Sequence, residues 1–372
     1  MVWKRGYVKR AVFALLPLFS LLLGAELVLR CLYYQRYGAT EFAIQEYYYC
    51  LIDSRAKGTA LKKVAEQTPL KTKAISPRKV TEKLTKALYT TEAGKKLLEQ
   101  FKTKYTKHFK KLLNEVKSCS SRLMLLYIPS EDYSGTNNYR KKECREFFRN
   151  LAKEADVTLV DATDELARHH IEETTLLPTN YHLSRFGNRV IASELAEALK
   201  LYTFQNEPIS YKSRPERLGD LQQNKNRIMS LVAELPFRIV TNKQGFRRQK
   251  DLCFPKRQKR ILVLGDSFTF GLHLANHDTY PAMLEARLKN TEVINAGIIG
   301  YTITQQLRLF RERAKYTEPD LTILQVLDND LYGLFYFMRN VLEHNCPRIL
   351  PTIEEREFLT GQLGVKWRDC SK

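Results

Sequence analysis

The sequence predicts an α/β protein in which a five-stranded parallel sheet is flanked by helices. Five short apolar runs are typical of buried strands, at residues 122–128, 157–161, 261–264, 292–296 and 320–327. Stretches with apolar residues at helical spacing lie between several of these runs, as the helices of such a fold require. A chain of 372 residues with 44% hydrophobic content can bury a sizeable core, as one large domain or two small ones.

The amino-terminal segment predicts a membrane anchor. Four basic residues within positions 4–10 precede an apolar run over residues 11–29. At about 1.5 Å per residue this run spans roughly 28 Å, close to the hydrocarbon thickness of a bilayer. The basic flank predicts an amino terminus on the inside, which places the rest of the chain outside the cytoplasm. We favour an uncleaved signal anchor, with a cleaved signal peptide as the competing interpretation.

Positive charge is concentrated in the segment that follows. The formal net charge is +20, and residues 55–117 contain 18 lysines and arginines against five acidic residues. No zinc-finger spacing, RNA-recognition signature or helix-turn-helix pattern accompanies this charge, so we expect no nucleic acid as a partner. An anionic lipid surface or an acidic envelope polymer would serve equally well, and a solvated helix face is the simplest interpretation.

Apolar residues at intervals of three and four predict an amphipathic helix over residues 91–117, whose other face is rich in lysine.

The seven cysteines include no Cys-x-x-Cys pair, which argues against a metal site and leaves disulfides open. We therefore predict no cofactor. The predicted organisation is an anchor, a basic linker, a first sheet half, a connector, a second sheet half and a tail, at residues 1–30, 31–90, 91–202, 203–259, 260–335 and 336–372.

Two residues are the first candidates for chemistry. Ser267 follows the strand 261–264 after Gly265, at the carboxyl end where open α/β sheets place their sites. His182 lies in a loop immediately before a helix, a position that often carries function. Four other histidines, at 169, 170, 273 and 277, are expected to be structural or solvated.

Four short blocks carry a family resemblance: Gly265-Asp-Ser-Phe, Asn295-Ala-Gly297, Asn329-Asp330 and Tyr181-His-Leu-Ser-x-x-Gly187. Together they resemble the blocks of the SGNH (GDSL-type) hydrolase superfamily, over roughly residues 90–200 and 235–335. The resemblance implies a sheet order of 2-1-3-4-5. It also implies that Ser267 attacks an ester carbonyl while His182 moves the proton, and that the Ser267 and Gly297 N–H groups and the Asn329 amide hold the oxyanion.

The chain order departs from most of that superfamily, because His182 precedes Ser267 by 85 residues. A moved chain break can leave the strands and crossovers intact, and residues 203–259 are long enough to join the new ends. The same order, behind an amino-terminal anchor, is similar to the alginate and peptidoglycan O-acetyltransferases of bacterial envelopes. The resemblance thus implies a serine-dependent esterase or O-acetyltransferase acting on envelope glycan, held in the inner membrane with its domain outside the cytoplasm. The alternative is a catalytically inactive glycan- or lipid-binding protein.

The acid that should orient His182 is missing from its expected place. Related enzymes carry an aspartate two or three residues before the histidine, where this chain has Asn180 and Thr179. Three outcomes compete: a Ser–His dyad helped by a backbone carbonyl, a carboxylate from elsewhere such as Asp161 or Asp164, or a lost activity. We favour the first, because Ser267, Gly297, Asn329 and His182 are all present.

Overall fold

The computed structural model describes residues 86–129, 138–176, 181–202, 209–229 and 237–331, together with 357–358 and 361–362. Of residues 138–141, 229 and 329 only the backbone is described. In chain order the elements are α1 (Glu92–Ser118), β1 (Arg122–Tyr127), α2 (Asn138–Glu154), β2 (Thr158–Asp161), α3 (Thr163–Leu166), α4 (Ile171–Thr174), α5 (Arg185–Lys200), β3 (Asn226–Met229), β4 (Phe237–Val240), β5 (Lys259–Leu264), α6 (Ser267–Phe270), α7 (Tyr280–Arg287), β6 (Thr291–Asn295), α8 (Ile303–Glu312) and β7 (Leu321–Val326).

A five-stranded sheet in which every pairing is parallel forms the centre of the protein, as predicted. Its order is β2-β1-β7-β5-β6. Counted along this chain, the five strands read 2-1-5-3-4. If the strands are instead numbered from the serine strand, in the sequence β5, β6, β7, β1, β2, the same sheet read from its β6 edge is 2-1-3-4-5. This is the order that the resemblance implied. The central strand β7 lies between β1 and β5 and so joins the two halves of the chain.

The sheet separates two apolar layers, because successive side chains of a strand point to opposite faces. One face packs against α1, α2 and α8 through residues such as Leu125, Leu264 and Leu324. The other packs against α5 and α7 through residues such as Val263 and Ile323. Both faces of the sheet are therefore buried over most of its area, which explains why β1 and β5 carry continuous apolar runs instead of alternating patterns.

The first helix has the two faces that its sequence predicts. Thr91 caps it by accepting the Gly94 N–H at 3.0 Å, and its apolar face is buried in the core. Its outer face carries six exposed lysines that form no ion pair with any described residue: Lys96, Lys104, Lys107, Lys110, Lys111 and Lys117. The helix thus covers the sheet with its apolar face and presents these lysines to solvent.

The connector contains a feature that the sequence did not predict, an antiparallel hairpin formed by β3 and β4. Phe237 and Ile239 of β4 pack with Phe270, Leu272 and Ile298. These three residues follow the carboxyl ends of β5 and β6, so the hairpin lies beside the segment that carries Ser267. Helix α8 and the short helices α3 and α4 were also not predicted.

Several predicted segments lie outside the described residues. These are the anchor 11–29, the linker as far as residue 85, and nearly all of the tail 336–372. Among the residues that are described, none of the helices combines the length and apolarity needed to cross a bilayer.

Candidate active site

Ser267 lies at the carboxyl end of β5, as predicted, and is the first residue of helix α6. The turn between them is tight, because a Cβ on Gly265 would meet the Thr269 hydroxyl oxygen at 2.0 Å. Asp266 caps the helix by accepting the Phe268 N–H at 3.0 Å. The Ser267 backbone N–H makes no hydrogen bond to another described residue, so it is a candidate donor to an oxyanion.

His182 is held in the loop between α4 and α5. Its carbonyl accepts the Leu176 N–H at 2.9 Å, and the next residue pairs with Thr175 in a β-bridge. Ser184 then caps α5 by accepting the Gly187 N–H at 3.1 Å. These local bonds determine where the imidazole enters the site.

The two halves of the chain meet at this pair. His182 Nε2 lies 2.9 Å from Ser267 Oγ, and both side chains are buried, at 9% and 7% exposure. The His182 ring packs beside Phe268, with the ring centroids 5.0 Å apart. The prediction that one chain brings Ser267 and His182 within hydrogen-bonding distance is confirmed. This distance suits proton transfer between a hydroxyl and an imidazole.

Gly297 lies where the sequence places it, but its predicted donor role needs correction. Its N–H donates to Asn295 Oδ1 at 3.0 Å, and Asn295 Nδ2 donates to the Thr269 carbonyl at 2.8 Å. A Cβ on Gly297 would meet the Phe270 backbone nitrogen at 2.3 Å. Glycine is needed here for the close approach of α6, and the N–H is already engaged.

The two asparagines predicted for the site stay predictions. Asn329 belongs to the 3₁₀ turn Asp328–Leu331 at the carboxyl end of β7, and its side chain is outside the described residues. Asn180 lies entirely outside the described residues.

The alternative carboxylates for orienting His182 are engaged elsewhere. Asp161 Oδ2 accepts from Arg145 Nε at 2.6 Å, and Asp164 Oδ2 accepts from Arg145 Nη2 at 2.8 Å. Although Asp161 is half-buried, its hydrogen bonds with Arg145 and Thr163 lower its pKa. Neither carboxylate bonds to His182, so the suggestion that one of them completes a triad is not supported.

Three buried carboxyl groups, of Asp266, Asp328 and Asp330, follow the strands β5 and β7 at this edge of the sheet. Burial raises the pKa of Asp266 to about 7. Burial and the nearby Asp266 raise the pKa of Asp330 well above its usual value. Asp328 accepts a hydrogen bond from the buried Tyr127 hydroxyl. Among the described residues, no three His, Cys, Asp or Glu side chains are arranged to hold a metal ion.

Two further residues beside the pair were not singled out from the sequence. Gln325 on β7 accepts from the Thr269 hydroxyl at 2.9 Å and from the Asp266 N–H at 3.3 Å, so it braces the serine turn from the central strand. His273, expected to be structural or solvated, is buried with its ring centroid 6.3 Å from that of His182. Their local sequence gives no signal for either position, because both contacts join separate segments.

The fold and the site define a three-layer α/β protein with a serine–histidine pair at the carboxyl edge of a parallel sheet. No family model matches the chain, and no curated protein matches it. Among solved structures it is similar to the O-acetyltransferase domain of Pseudomonas putida AlgJ, with 15% identity and a TM-score of 0.44, over 75% of this chain and 95% of that one. It is also similar to Pseudomonas aeruginosa AlgX, with 13% identity and a TM-score of 0.36, over 64% of this chain and 60% of that one. At these values neither similarity establishes a family or an activity for this chain.

Proposed function

We propose that the protein is a serine-dependent ester hydrolase or O-acetyltransferase that acts on a cell-envelope glycan. The observation that supports this proposal is the 2.9 Å contact between His182 Nε2 and Ser267 Oγ at the carboxyl edge of the sheet. Buried serines are weak nucleophiles unless a base takes their proton, and this arrangement supplies the base.

In this mechanism Ser267 Oγ forms a bond to the ester carbonyl carbon while its proton passes to His182 Nε2. The tetrahedral intermediate then expels the alcohol oxygen, which takes the proton back from His182. The acyl group on Ser267 passes to water in hydrolysis or to a sugar hydroxyl in transfer. The Ser267 N–H and the Asn329 amide are the proposed oxyanion donors, and losing one such donor typically costs about 10²–10³ in turnover.

The setting of this activity is part of the proposal. The apolar run 11–29 would anchor the chain in the inner membrane of a bacterium as a single-pass protein, with the α/β domain outside the cytoplasm.

Full-length protein incubated with p-nitrophenyl acetate tests the activity. We expect turnover that the Ser267→Ala variant abolishes, and an acetyl group on Ser267 in the mass spectrum of the trapped protein. Adding an acceptor glycan separates transfer from hydrolysis, because transfer moves acetyl groups to sugar hydroxyls. Turnover that persists in Ser267→Ala would refute the mechanism.

Asn180 supplies a second test, since an asparagine cannot stabilise an imidazolium as a carboxylate does. In serine proteases, an aspartate orients the catalytic histidine. Replacing that aspartate by asparagine lowers turnover by about 10⁴. We therefore expect Asn180→Asp to raise turnover above that of the unaltered protein. If neither form shows Ser267-dependent turnover, the chain is better described as a glycan- or lipid-binding protein on this fold, for which the exposed lysine face of α1 would be the binding surface.

A further inference from the structure

A buried arginine from the connector holds the segment that follows the serine helix. Arg247 is 3% exposed. Its guanidinium donates to the carbonyl oxygens of Phe270, Gly271 and Leu274, at 2.7 Å for Gly271, and to Asn276 Oδ1 at 3.2 Å. One side chain thus binds four acceptors within seven residues of chain.

The backbone around Arg247 is built to deliver this side chain. Asn242 Oδ1 accepts the Phe246 N–H at 3.0 Å, and Gly245 adopts φ +80° in the turn between them. The Arg247 N–H donates to the Asn295 carbonyl at 3.3 Å, at the end of β6. The pattern Val240-Thr-Asn-Lys-Gln-Gly-Phe-Arg247 therefore forms a rigid turn docked on the sheet.

The segment that Arg247 holds contains two parts of the site. Phe270 and Gly271 end helix α6, whose first residue is Ser267. His273 follows, with φ +66°, a left-handed backbone that residues other than glycine rarely adopt without support. Arg247 bonds the carbonyls on both sides of His273, at Gly271 and Leu274, and this brings the His273 ring beside His182.

We propose that Arg247 is a positioning residue for the Ser267–His182 pair, an inference that rests on the proposed function. By binding the last carbonyls of α6 it fixes the axial position of that one-turn helix and so of Ser267. By fixing the backbone at His273 it fixes the surface against which the His182 ring packs. A guanidinium suits this task, because its planar, rigid array of donors serves several carbonyls at once.

Lysine cannot replace this array. Its ammonium group keeps the charge but presents donors from a single point, so some of the four acceptors lose their partner. Because a buried carbonyl without a hydrogen-bond partner is costly, the 270–274 segment would shift to recover such partners. A displacement of about 1 Å at reacting groups can cost about 10² in rate.

Arg248 provides a matched control within the same turn. It is also buried, at 8% exposure. Its guanidinium bonds Lys250 and Val293 carbonyls and the carboxylates of Glu285 and Glu292, none of which belongs to the serine segment. Arg248→Lys therefore reports the cost of losing a buried guanidinium without altering the support of Ser267.

The test compares the full-length Arg247→Lys and Arg248→Lys variants with p-nitrophenyl acetate. We expect kcat to fall about 10²-fold in Arg247→Lys with a much smaller change in KM, and to stay at the wild-type value in Arg248→Lys. Equal losses of kcat in the two variants, or an unchanged kcat in Arg247→Lys, would overturn the proposal. If Arg247→Lys does not fold, Asn276→Ala replaces it, since it removes one of the four acceptors from a half-buried position. A kcat lower than that of Arg248→Lys is then the expected result, and an unchanged kcat overturns the proposal.

A second measurement separates this proposal from the proposed function. Carbethoxylation by diethyl pyrocarbonate, mapped by mass spectrometry, gives the reactivity of His182 and His273 without any need for turnover. We expect both histidines to react faster in Arg247→Lys than in the unaltered protein, and at the unaltered rate in Arg248→Lys. Identical rates in all three proteins would refute the positioning role even if the protein has no esterase activity.

Discussion

Replacing Gly297, which follows the neighbouring strand β6, by alanine should displace the serine helix α6 and so lower activity. The new Cβ would meet the Phe270 nitrogen at 2.3 Å and two Thr269 atoms at 2.7 Å, one of them backbone. Phe270 and Thr269 both belong to α6, so no flexible side-chain tip can give way. Either α6 or the Asn295–Gly297 turn has to move.

The size of this movement follows from the contact distance. Ordinary contacts begin at 3.4 Å, so the Phe270 nitrogen must retreat by about 1.1 Å. Overpacking of this kind typically costs about 1–3 kcal/mol of stability. At about 2–4 °C per kcal/mol for a domain of this size, the Tm should fall by at least a few degrees. A displacement of about 1 Å at Ser267 should also lower kcat by about 10².

Turnover of p-nitrophenyl acetate and the thermal midpoint are measured together on Gly297→Ala and on Gly94→Ala. Gly94 is a matched control, because its Cβ would meet the Ala87 carbonyl oxygen at 2.2 Å, near the amino end of α1 and away from Ser267. We expect both variants to lose stability, and only Gly297→Ala to lose turnover. Wild-type turnover and Tm in Gly297→Ala would refute the close approach of α6, and equal turnover losses in both variants would refute its specific effect on Ser267.

Two other predictions concern charge. Burial raises the pKa of Asp266 to about 7, so between about pH 4 and about pH 7 the folded state binds protons that the unfolded state releases. The free energy of unfolding should therefore fall as pH rises through this window. Denaturant titrations should show a weaker pH dependence of that free energy in Asp266→Asn, whose amide oxygen can still accept the Phe268 N–H. An equal pH dependence in the two proteins would contradict the raised pKa of Asp266. The lysine face of α1 predicts binding of the full-length protein to anionic vesicles that weakens steeply with salt and in Lys107→Glu/Lys111→Glu. Binding that changes neither with salt nor with these substitutions would indicate that the lysine face of α1 is merely solvated.

Much of the fold could be predicted because its signals are local. Each strand of the parallel sheet contains a short run of adjacent apolar residues, and the predicted strand ends lie within two residues of the observed ones. The amphipathic pattern of α1 likewise gave its length to within one residue at each end. The β3–β4 hairpin was missed, since its short strands lie in a polar and basic segment without a clear period.

The site could be predicted only in part. Ser267 and His182 follow elements that end at one edge of the sheet, so their meeting was accessible from topology. The engagement of the Gly297 N–H by Asn295 was not, because it depends on which way one amide side chain turns. Arg247 likewise lies in a basic segment where nothing in the local sequence distinguishes it from the exposed Lys243 and Lys250.

The sequence by itself determined the parallel sheet, most of the longer helices around it and the residue types available for acyl chemistry, because apolar periodicity and turn residues act over a few positions. Only the tertiary structure decided that Arg247 binds the end of the serine helix and that α6 approaches Gly297 within contact distance. These contacts join residues that are at least 23 positions apart in the chain, such as Arg247 with Phe270 and, at 27 positions, with Leu274. Their geometry is set by how the connector docks on the sheet, and no pattern within either segment specifies it.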